Sequence, residues 1–326
     1  MSRQFVFGCS YTNFRWPTWA ELSYSILKEH GYADEFYQYG ISGSGNELIA
    51  RTVELADSVH KFTDDDIVIV NFTHWDRIDS WGLRLNAEDQ WPSWNVGGNW
   101  VHNNTHGLSY KPYYSEVNNI LNNAHWIQYI KERYPNALCL GQNYYTDQPM
   151  GNATLSAVNE FEQYMYTESM KISDDNPLCS KFCITSKLQT GWFWDNRLDT
   201  HPSMVDHHEF LCTAMYPLWQ ILGIDCDSYR GQIGDCEAQY CAQVAENLDI
   251  PYKYKEIKPR DEWYEVDVNE DQRALWMEYE LCDSHNELFK QYNIQHPNSN
   301  QGLNLWHNES NLGKDLIGIL KSGFLK

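Results

Sequence analysis

The strongest constraint in the sequence is a regular alternation of short apolar runs with helix-like patterns. Five runs have the length and residue types of strands, and the segments between them have the length and apolar spacing of helices. This alternation predicts an α/β fold, in which helices cover both faces of a five-stranded, mostly parallel sheet as a three-layer α/β/α sandwich. The predicted strands span residues 4–9, 35–41, 66–73, 137–145 and 181–185, and the predicted helices span residues 19–30, 46–60, 116–134, 153–170 and 204–222.

The pattern changes after residue 222. A stretch containing Gly, Asp and Cys at residues 223–236 introduces a second unit, so we place a domain boundary near Asp225. The prediction is a first domain over residues 1–224 and a smaller second domain over residues 225–326.

A long segment without periodicity follows the third predicted strand. Residues 81–115 are rich in Trp, Asn, Gly and His, and we interpret them as an insertion loop on the ligand side of the sheet. Trp91, Trp94 and Trp100 either form a wall of the substrate site or anchor the loop as buried side chains.

Charge and composition exclude several functions. The chain has 45 acidic and 24 basic residues, for a formal charge of −21, so it should repel nucleic acid. The first residues lack the apolar core of a signal peptide, and no stretch is long enough to span a bilayer, so we expect a cytosolic protein without a membrane partner. The nine Cys are irregularly spaced, which fits reduced thiols, and no Cys/His spacing indicates zinc. We therefore predict no metal and no cofactor.

A serine stands where the first strand gives way to a turn, in the segment 8–12 (GCSYT). Ser10 would lie at the carboxyl edge of the sheet, where ligands bind in such folds. A helix starting there would point backbone N–H groups at a developing oxyanion. The alternative is that Ser10 only caps that helix.

A second pair of residues suits general-base chemistry. Asp199 and His201 are separated by one residue, ahead of the last predicted helix of the domain. The carboxylate can fix the imidazole tautomer while the other ring nitrogen accepts a serine proton. The alternative is an ordinary N-capping turn. The glycine-rich segment 40–46 follows the second strand, and Gly43 there can turn a backbone N–H into the site, although a phosphate cradle is also conceivable.

The order of these pieces resembles the SGNH (GDSL-like) hydrolase family over residues 4–222. The resemblance implies a flavodoxin-like sheet and a Ser-His-Asp triad of Ser10, His201 and Asp199. It also implies that the amides of Ser10 and Gly43 donate to the oxyanion. In the family's Asp-x-x-His block two residues separate the acid from the base, whereas here there is one.

Two other positions depart from the family's pattern. Cys9 replaces the Asp of the first block, and Trp75 replaces the Asn that usually completes the oxyanion hole. Loss of one such donor typically costs 10²–10³ in rate, unless the Trp75 indole, Asn71 or His74 substitutes. Trp75 stands in the family's third block, which here is residues 73–77 (THWDR), and this segment is similar to the third block of phage-encoded members.

The second domain resembles a glutaredoxin faintly, at residues 240–254 and 305–323. Cys241 matches the second redox cysteine, but Ala238 occupies the first position and Cys236 comes two residues too early. Leu303 stands where the family has a cis proline. The resemblance implies a thioredoxin-like α/β domain, with Cys236 in the loop before the first helix and no working dithiol pair.

The leading prediction is a serine esterase acting on a small acyl ester, with O-acetyl groups on a saccharide as one candidate. Two alternatives stay open. One is a catalytically weakened binding or structural module, assembled with other proteins of a phage particle or with copies of itself. The other is a thiol oxidoreductase that uses Cys236 and Cys241.

Overall fold

The computed structural model describes residues 2–73, 79–83, 92–95, 116–143, 183–185, 201–249 and 270–297. Its strands are β1 (Arg3–Gly8), β2 (Glu35–Gly40), β3 (Ile67–Phe72), β4 (Ser80–Leu83), β5 (Pro92–Asn95), β6 (Leu138–Asn143) and β7 (Cys183–Thr185). Its helices are α1 (Trp19–Glu29), α2 (Asn46–His60), α3 (Glu116–Arg133), α4 (Met204–Ala214), α5 (Tyr216–Leu222), α6 (Arg230–Asn247), α7 (Glu270–Glu278) and α8 (Asp283–Gln291), with a 3₁₀ turn at Cys226–Tyr229.

The main sheet has the strand order β2-β1-β3-β6-β7, and every neighbouring pair is parallel. This confirms the predicted α/β fold with a parallel sheet. Alternate side chains of β1 and β3, including Phe5, Phe7, Val70 and Phe72, are buried in one apolar core with α2 and α3. The residues between them, such as Val6, are equally buried, so both faces of the sheet are covered.

The described residues group into two compact units. The first comprises Met1–Asn13, Ala33–Ser186 and Asn300–Lys326, and we call it the sheet unit. The second comprises Phe14–Tyr32 and Lys187–Ser299, and we call it the helical unit. This division differs from the linear boundary near Asp225, which stays a prediction.

The helical unit is built on contacts of α4 with α1 and α6. Trp19 and Phe210 pack with ring centroids 5.9 Å apart, and the Glu237 carboxylate accepts a hydrogen bond from the backbone N of Val205 (2.7 Å). In the described ranges 226–249 and 270–297, every regular element is helical. The segment from residue 240, which resembles the first helix of a glutaredoxin, forms the second half of α6 up to Asn247. The thioredoxin-like fold stays a prediction, because residues 250–269 and 298–326 lie outside the description.

Two predicted elements differ from the structure. The helix expected over residues 204–222 is broken at Met215, because Pro217 lacks the N–H that would continue the hydrogen-bond ladder. The segment 81–115, expected to be irregular, contains part of an antiparallel hairpin, in which β4 pairs with β5. The helix predicted over residues 153–170 lies outside the described residues. Among the helices described, none is long and apolar enough to cross a membrane.

Candidate active site

The strand order places a switch point beside β1. In sheets of this order, the connections leave the central strands toward opposite faces, and ligands bind in the crevice at their carboxyl ends. Ser10 follows β1 by one residue, and the loop carrying Gly43 follows β2. The sheet unit therefore brings these two predicted residues to one edge of the sheet.

A tight turn holds Ser10. The backbone O of Cys9 accepts from the backbone N of Thr12 (2.9 Å) and of Asn13 (3.3 Å), and Ser10 inside this turn is 4% exposed. Gly8 makes the turn possible, because a Cβ there would overlap the Thr12 hydroxyl and lie 3.1 Å from the backbone O of Asn71. Neither the hydroxyl nor the amide of Ser10 has a hydrogen-bond partner among the described residues.

The Gly43 loop is fastened to the end of β1. The Ser44 hydroxyl donates to the backbone O of Gly8 (3.1 Å), and the backbone N of Ile41 donates to the same oxygen (2.9 Å). Gly43 has a φ of 77°, which favours glycine. Within the described part of the chain its amide N–H has no partner, as a candidate oxyanion donor requires.

Polar side chains fix the segment after β3 and the start of α2. The Asn46 side chain accepts from the backbone N of Thr73 (2.8 Å) and donates to its backbone O (3.0 Å) and to Oδ1 of Asn123 (2.6 Å). Asp79 accepts from the backbone N of Gly45 (2.6 Å) and of Leu48 (2.8 Å), where α2 begins. Asp79 lies too far along the chain from α2 for a local sequence signal to indicate this cap.

Asn71 is the third oxyanion candidate on this edge. It lies on β3 with 0% exposure, and neither atom of its side-chain amide has a hydrogen-bond partner among the described residues. Phe7 of β1 pairs with Val70, so Asn71 lies beside Gly8 and its side chain leaves the sheet on the face opposite to Val70. A buried amide without a partner costs about 1–3 kcal/mol and calls for a functional explanation.

His201 belongs to the helical unit. Its ring stacks on Phe14, with centroids 3.8 Å apart, and Phe14 comes four residues after Ser10 in the chain. The next residue, Pro202, accepts a hydrogen bond from the Trp16 indole (2.8 Å) through its backbone O. Local contacts therefore fix the position of the candidate base within its unit.

The structure places the helix N-caps at residues other than Ser10 and His201. The N-cap of α1 is Thr18 and that of α4 is Ser203, each in a capping box with an acidic residue. Neither Ser10 nor His201 is a helix cap. Helix α1 begins at Trp19, as predicted, and not directly after Ser10.

His207 is a neighbour of His201 that the sequence did not reveal. It is buried, and neither ring nitrogen has a hydrogen-bond partner among the described residues. Burial, with a smaller contribution from the nearby His201, lowers the pKa of His207 to about 3. The only sign of His207 in the sequence is its position one helical turn after Ser203, the N-cap of α4.

Several predicted site residues fall outside the described part of the chain. These are Asp199, His74, Trp75, Trp91 and Trp100. Trp94 is described only as a backbone position in β5, where it pairs with Trp81 of β4. Their roles stay predictions.

The cysteines of the redox alternative are not placed as predicted. Cys236 was expected in the loop before a helix, but both Cys236 and Cys241 lie within α6 and are buried. Helix α6 begins earlier than the pattern indicates, and its residue Glu237 accepts a hydrogen bond from the backbone N of Val205 in α4. Burial raises the pKa of the Cys236 thiol to about 12, the direction opposite to that of a catalytic thiolate.

Comparisons with known proteins found no matching family model and no matching curated protein. Three solved structures show a weak likeness. An alpha/beta hydrolase enzyme from the metagenome of Lake Arreo, Spain, is 11% identical, with a TM-score of 0.36 over 65% of this chain and 94% of that chain. A Clostridium thermocellum family 3 carbohydrate esterase is 15% identical, with a TM-score of 0.31 over 68% and 98%. A variant of Axe2, an acetyl xylan esterase from Geobacillus stearothermophilus, is 11% identical, with a TM-score of 0.34 over 69% and 95%. TM-scores this low do not establish a common fold, so the site rests on the residues described above.

Proposed function

We propose that the chain is a serine ester hydrolase. Ser10 attacks the acyl carbonyl, His201 takes the proton of the Ser10 hydroxyl, and Asp199 holds the imidazole in the required tautomer. The amides of Ser10 and Gly43 stabilise the tetrahedral oxyanion. The tetrahedral intermediate then breaks its bond to the alcohol, which leaves with the proton from His201, and the acyl-enzyme remains. Water, deprotonated by His201, attacks the acyl-enzyme and releases the acid and the free Ser10 hydroxyl.

One observation carries this proposal. Ser10 sits at the carboxyl end of β1, beside the switch point of the sheet, in a turn where its hydroxyl and amide have no partner among the described residues. A serine that only supported the fold would be expected to cap a helix or bond to the backbone, yet Thr18 performs the capping. A reactive role explains why Ser10 lies there.

Asn71 is proposed as the donor that replaces the usual Asn of the third block. Its side-chain amide is buried and has no partner within the described ranges, and its backbone O lies beside Gly8, two residues before Ser10. A substrate oxyanion would supply the missing acceptor. The proposed substrates are small acyl esters, with saccharide O-acetyl groups as the first candidates because of the Trp-rich segment 81–115.

A fluorophosphonate probe and a short p-nitrophenyl ester test the proposal together. The wild-type protein should be labelled at Ser10 and should hydrolyse the ester. Ser10→Ala should be neither labelled nor able to hydrolyse the ester. His201→Gln should be labelled more slowly and should hydrolyse the ester more slowly. Ser58→Ala, a change at an exposed serine of α2, is the matched control and should leave both unchanged.

Asn71→Leu separates the oxyanion role from folding. We expect kcat to fall by about 10²–10³ with little change in KM, because a transition-state donor acts mainly on kcat. Labelling that persists in Ser10→Ala contradicts the nucleophile assignment. No labelling of a folded wild-type protein favours the binding-module alternative instead.

A further inference from the structure

A second cluster of chemically active side chains lies in the helical unit. His208 and Cys212 are four residues apart on α4, so they share one face of the helix, and Cys226 opens the 3₁₀ turn. The Cys212 Sγ lies 3.2 Å from the Cys226 Sγ. The His208 Nε2 lies 3.5 Å from the first sulfur and 3.9 Å from the second.

These separations fit the edges of a tetrahedral metal site. With zinc bonds of about 2.3 Å to sulfur and about 2.0 Å to nitrogen, two ligand atoms of one tetrahedron lie roughly 3.5–3.8 Å apart. The two nitrogen–sulfur distances are close to that value. The two sulfurs would need to separate by only about half an ångström.

The cluster is also held in place. His208 is 2% exposed and Cys226 is 5% exposed, whereas Cys212 is partly accessible. The His208 Nε2 donates a hydrogen bond to the backbone O of Cys226 (2.9 Å), which fixes the ring against the 3₁₀ turn. Metal binding would break this hydrogen bond, because the His208 Nε2 would then bind the ion.

We propose that His208, Cys212 and Cys226 bind one zinc ion. Two thiolates and an imidazole form a ligand set that suits Zn²⁺ and disfavours Mg²⁺ or Ca²⁺, which prefer oxygen. The fourth ligand is a water molecule that enters beside the accessible Cys212. The ion ties α4 to the turn that precedes α6 and stabilises the helical unit by binding only its folded form.

Cobalt(II) is the probe for the ligands. After reduction and removal of metals with a chelator, the full-length protein should bind one equivalent of Co²⁺ with a thiolate-to-metal charge-transfer band, and Zn²⁺ should displace it. Cys212→Ser and Cys226→Ser should each remove most of this band and weaken zinc binding at least about tenfold. Cys282→Ser is the matched control, because Cys282 is exposed and forms a separate pair with His285, its Sγ 3.0 Å from Nδ1.

A thermal shift of the wild-type protein covers the case in which a variant does not fold. Zn²⁺ should raise the unfolding midpoint and Mg²⁺ should not. The proposal is overturned if the reduced protein shows no cobalt band, or if the band depends on Cys282 rather than on Cys212 and Cys226. A Cys212–Cys226 disulfide in peptide mapping, without metal uptake after reduction, also overturns it and identifies the cluster as a redox pair.

Discussion

The two units bury polar groups of different kinds. The polar residues buried in the described part of the sheet unit are neutral amides and hydroxyls, such as those of Asn46, Thr73 and Asn123, and the enclosed carboxylate of Asp66 is paired with Arg3 (2.6 Å). The helical unit buries ionisable groups as well, including Glu237 and His207. The first kind contributes to stability independently of pH, whereas the second couples folding to protonation.

The difference predicts where pH acts on this protein. Burial raises the pKa of Glu237 to about 8, against the opposing effect of its hydrogen bond from the backbone N of Val205. Burial lowers the pKa of His207 to about 3. The folded helical unit therefore favours the uncharged form of both groups, and its stability should fall toward both alkaline and acidic pH.

Glu237→Gln should have the largest effect. The folded protein keeps the Glu237 proton up to about pH 8, whereas the unfolded chain loses it near the ordinary value of 4.5, so wild-type stability falls as pH rises between these values. Gln cannot ionise and still accepts from Val205. Because one pKa unit corresponds to about 1.4 kcal/mol, the variant should gain several kcal/mol over the wild type across this window.

Urea unfolding of both proteins at about pH 5 and about pH 9 measures this gain. Glu246→Gln is the control, because Glu246 is exposed on the same helix, and it should follow the wild-type profile. If Glu237→Gln and the wild type lose stability in parallel as pH rises, the buried carboxyl is not the cause.

Asn46→Ala should have the next largest effect, and one independent of pH. The change removes three hydrogen bonds from a side chain that is 1% exposed, two to the backbone of Thr73 and one to Asn123. At about 1 kcal/mol for each bond, the free energy of unfolding should fall by about 3 kcal/mol.

The same loss should be measured at about pH 5 and about pH 9, because no ionisable group takes part. Asn122→Ala is the matched control, since Asn122 is exposed beside Asn123 on α3. A loss confined to one end of the pH range would contradict the contrast between the two units.

The sheet unit was the more predictable of the two because its signals are local. Each strand of β1, β2 and β3 is a short apolar run, and the predicted bounds agree with the structure to within one or two residues. The positions of Ser10 and Gly43 follow from the ends of those strands. Asn71 was recognised as a candidate only through the family resemblance, since one Asn in an apolar run is otherwise uninformative.

The helical unit was less predictable because long-range contacts override its local signals. Gly231 and Gly234 suggested a loop, and each glycine costs a helix about 1 kcal/mol. Both lie in α6, where the buried residues Ile233 and Glu237 hold the helix by packing. The cluster of His208, Cys212 and Cys226 has no local sequence signal, because Cys226 approaches His208 only after the chain folds back.

His207→Leu should have the smallest effect and the opposite pH dependence. A histidine with a folded pKa of about 3 and an ordinary value of 6.5 contributes stability above pH 6.5 and loses it as pH falls toward 3. At about pH 5 this loss amounts to roughly 2 kcal/mol, at about 1.4 kcal/mol per pH unit.

Leucine has no proton to bind, so the variant should unfold at a higher urea concentration than the wild type at about pH 5, with a smaller difference at about pH 8. His125→Leu, on the exposed side of α3, is the control and should show no such gain in acid. If His207→Leu gains nothing as the pH falls, the imidazole has a partner in the folded protein, and the acid sensitivity belongs to another group.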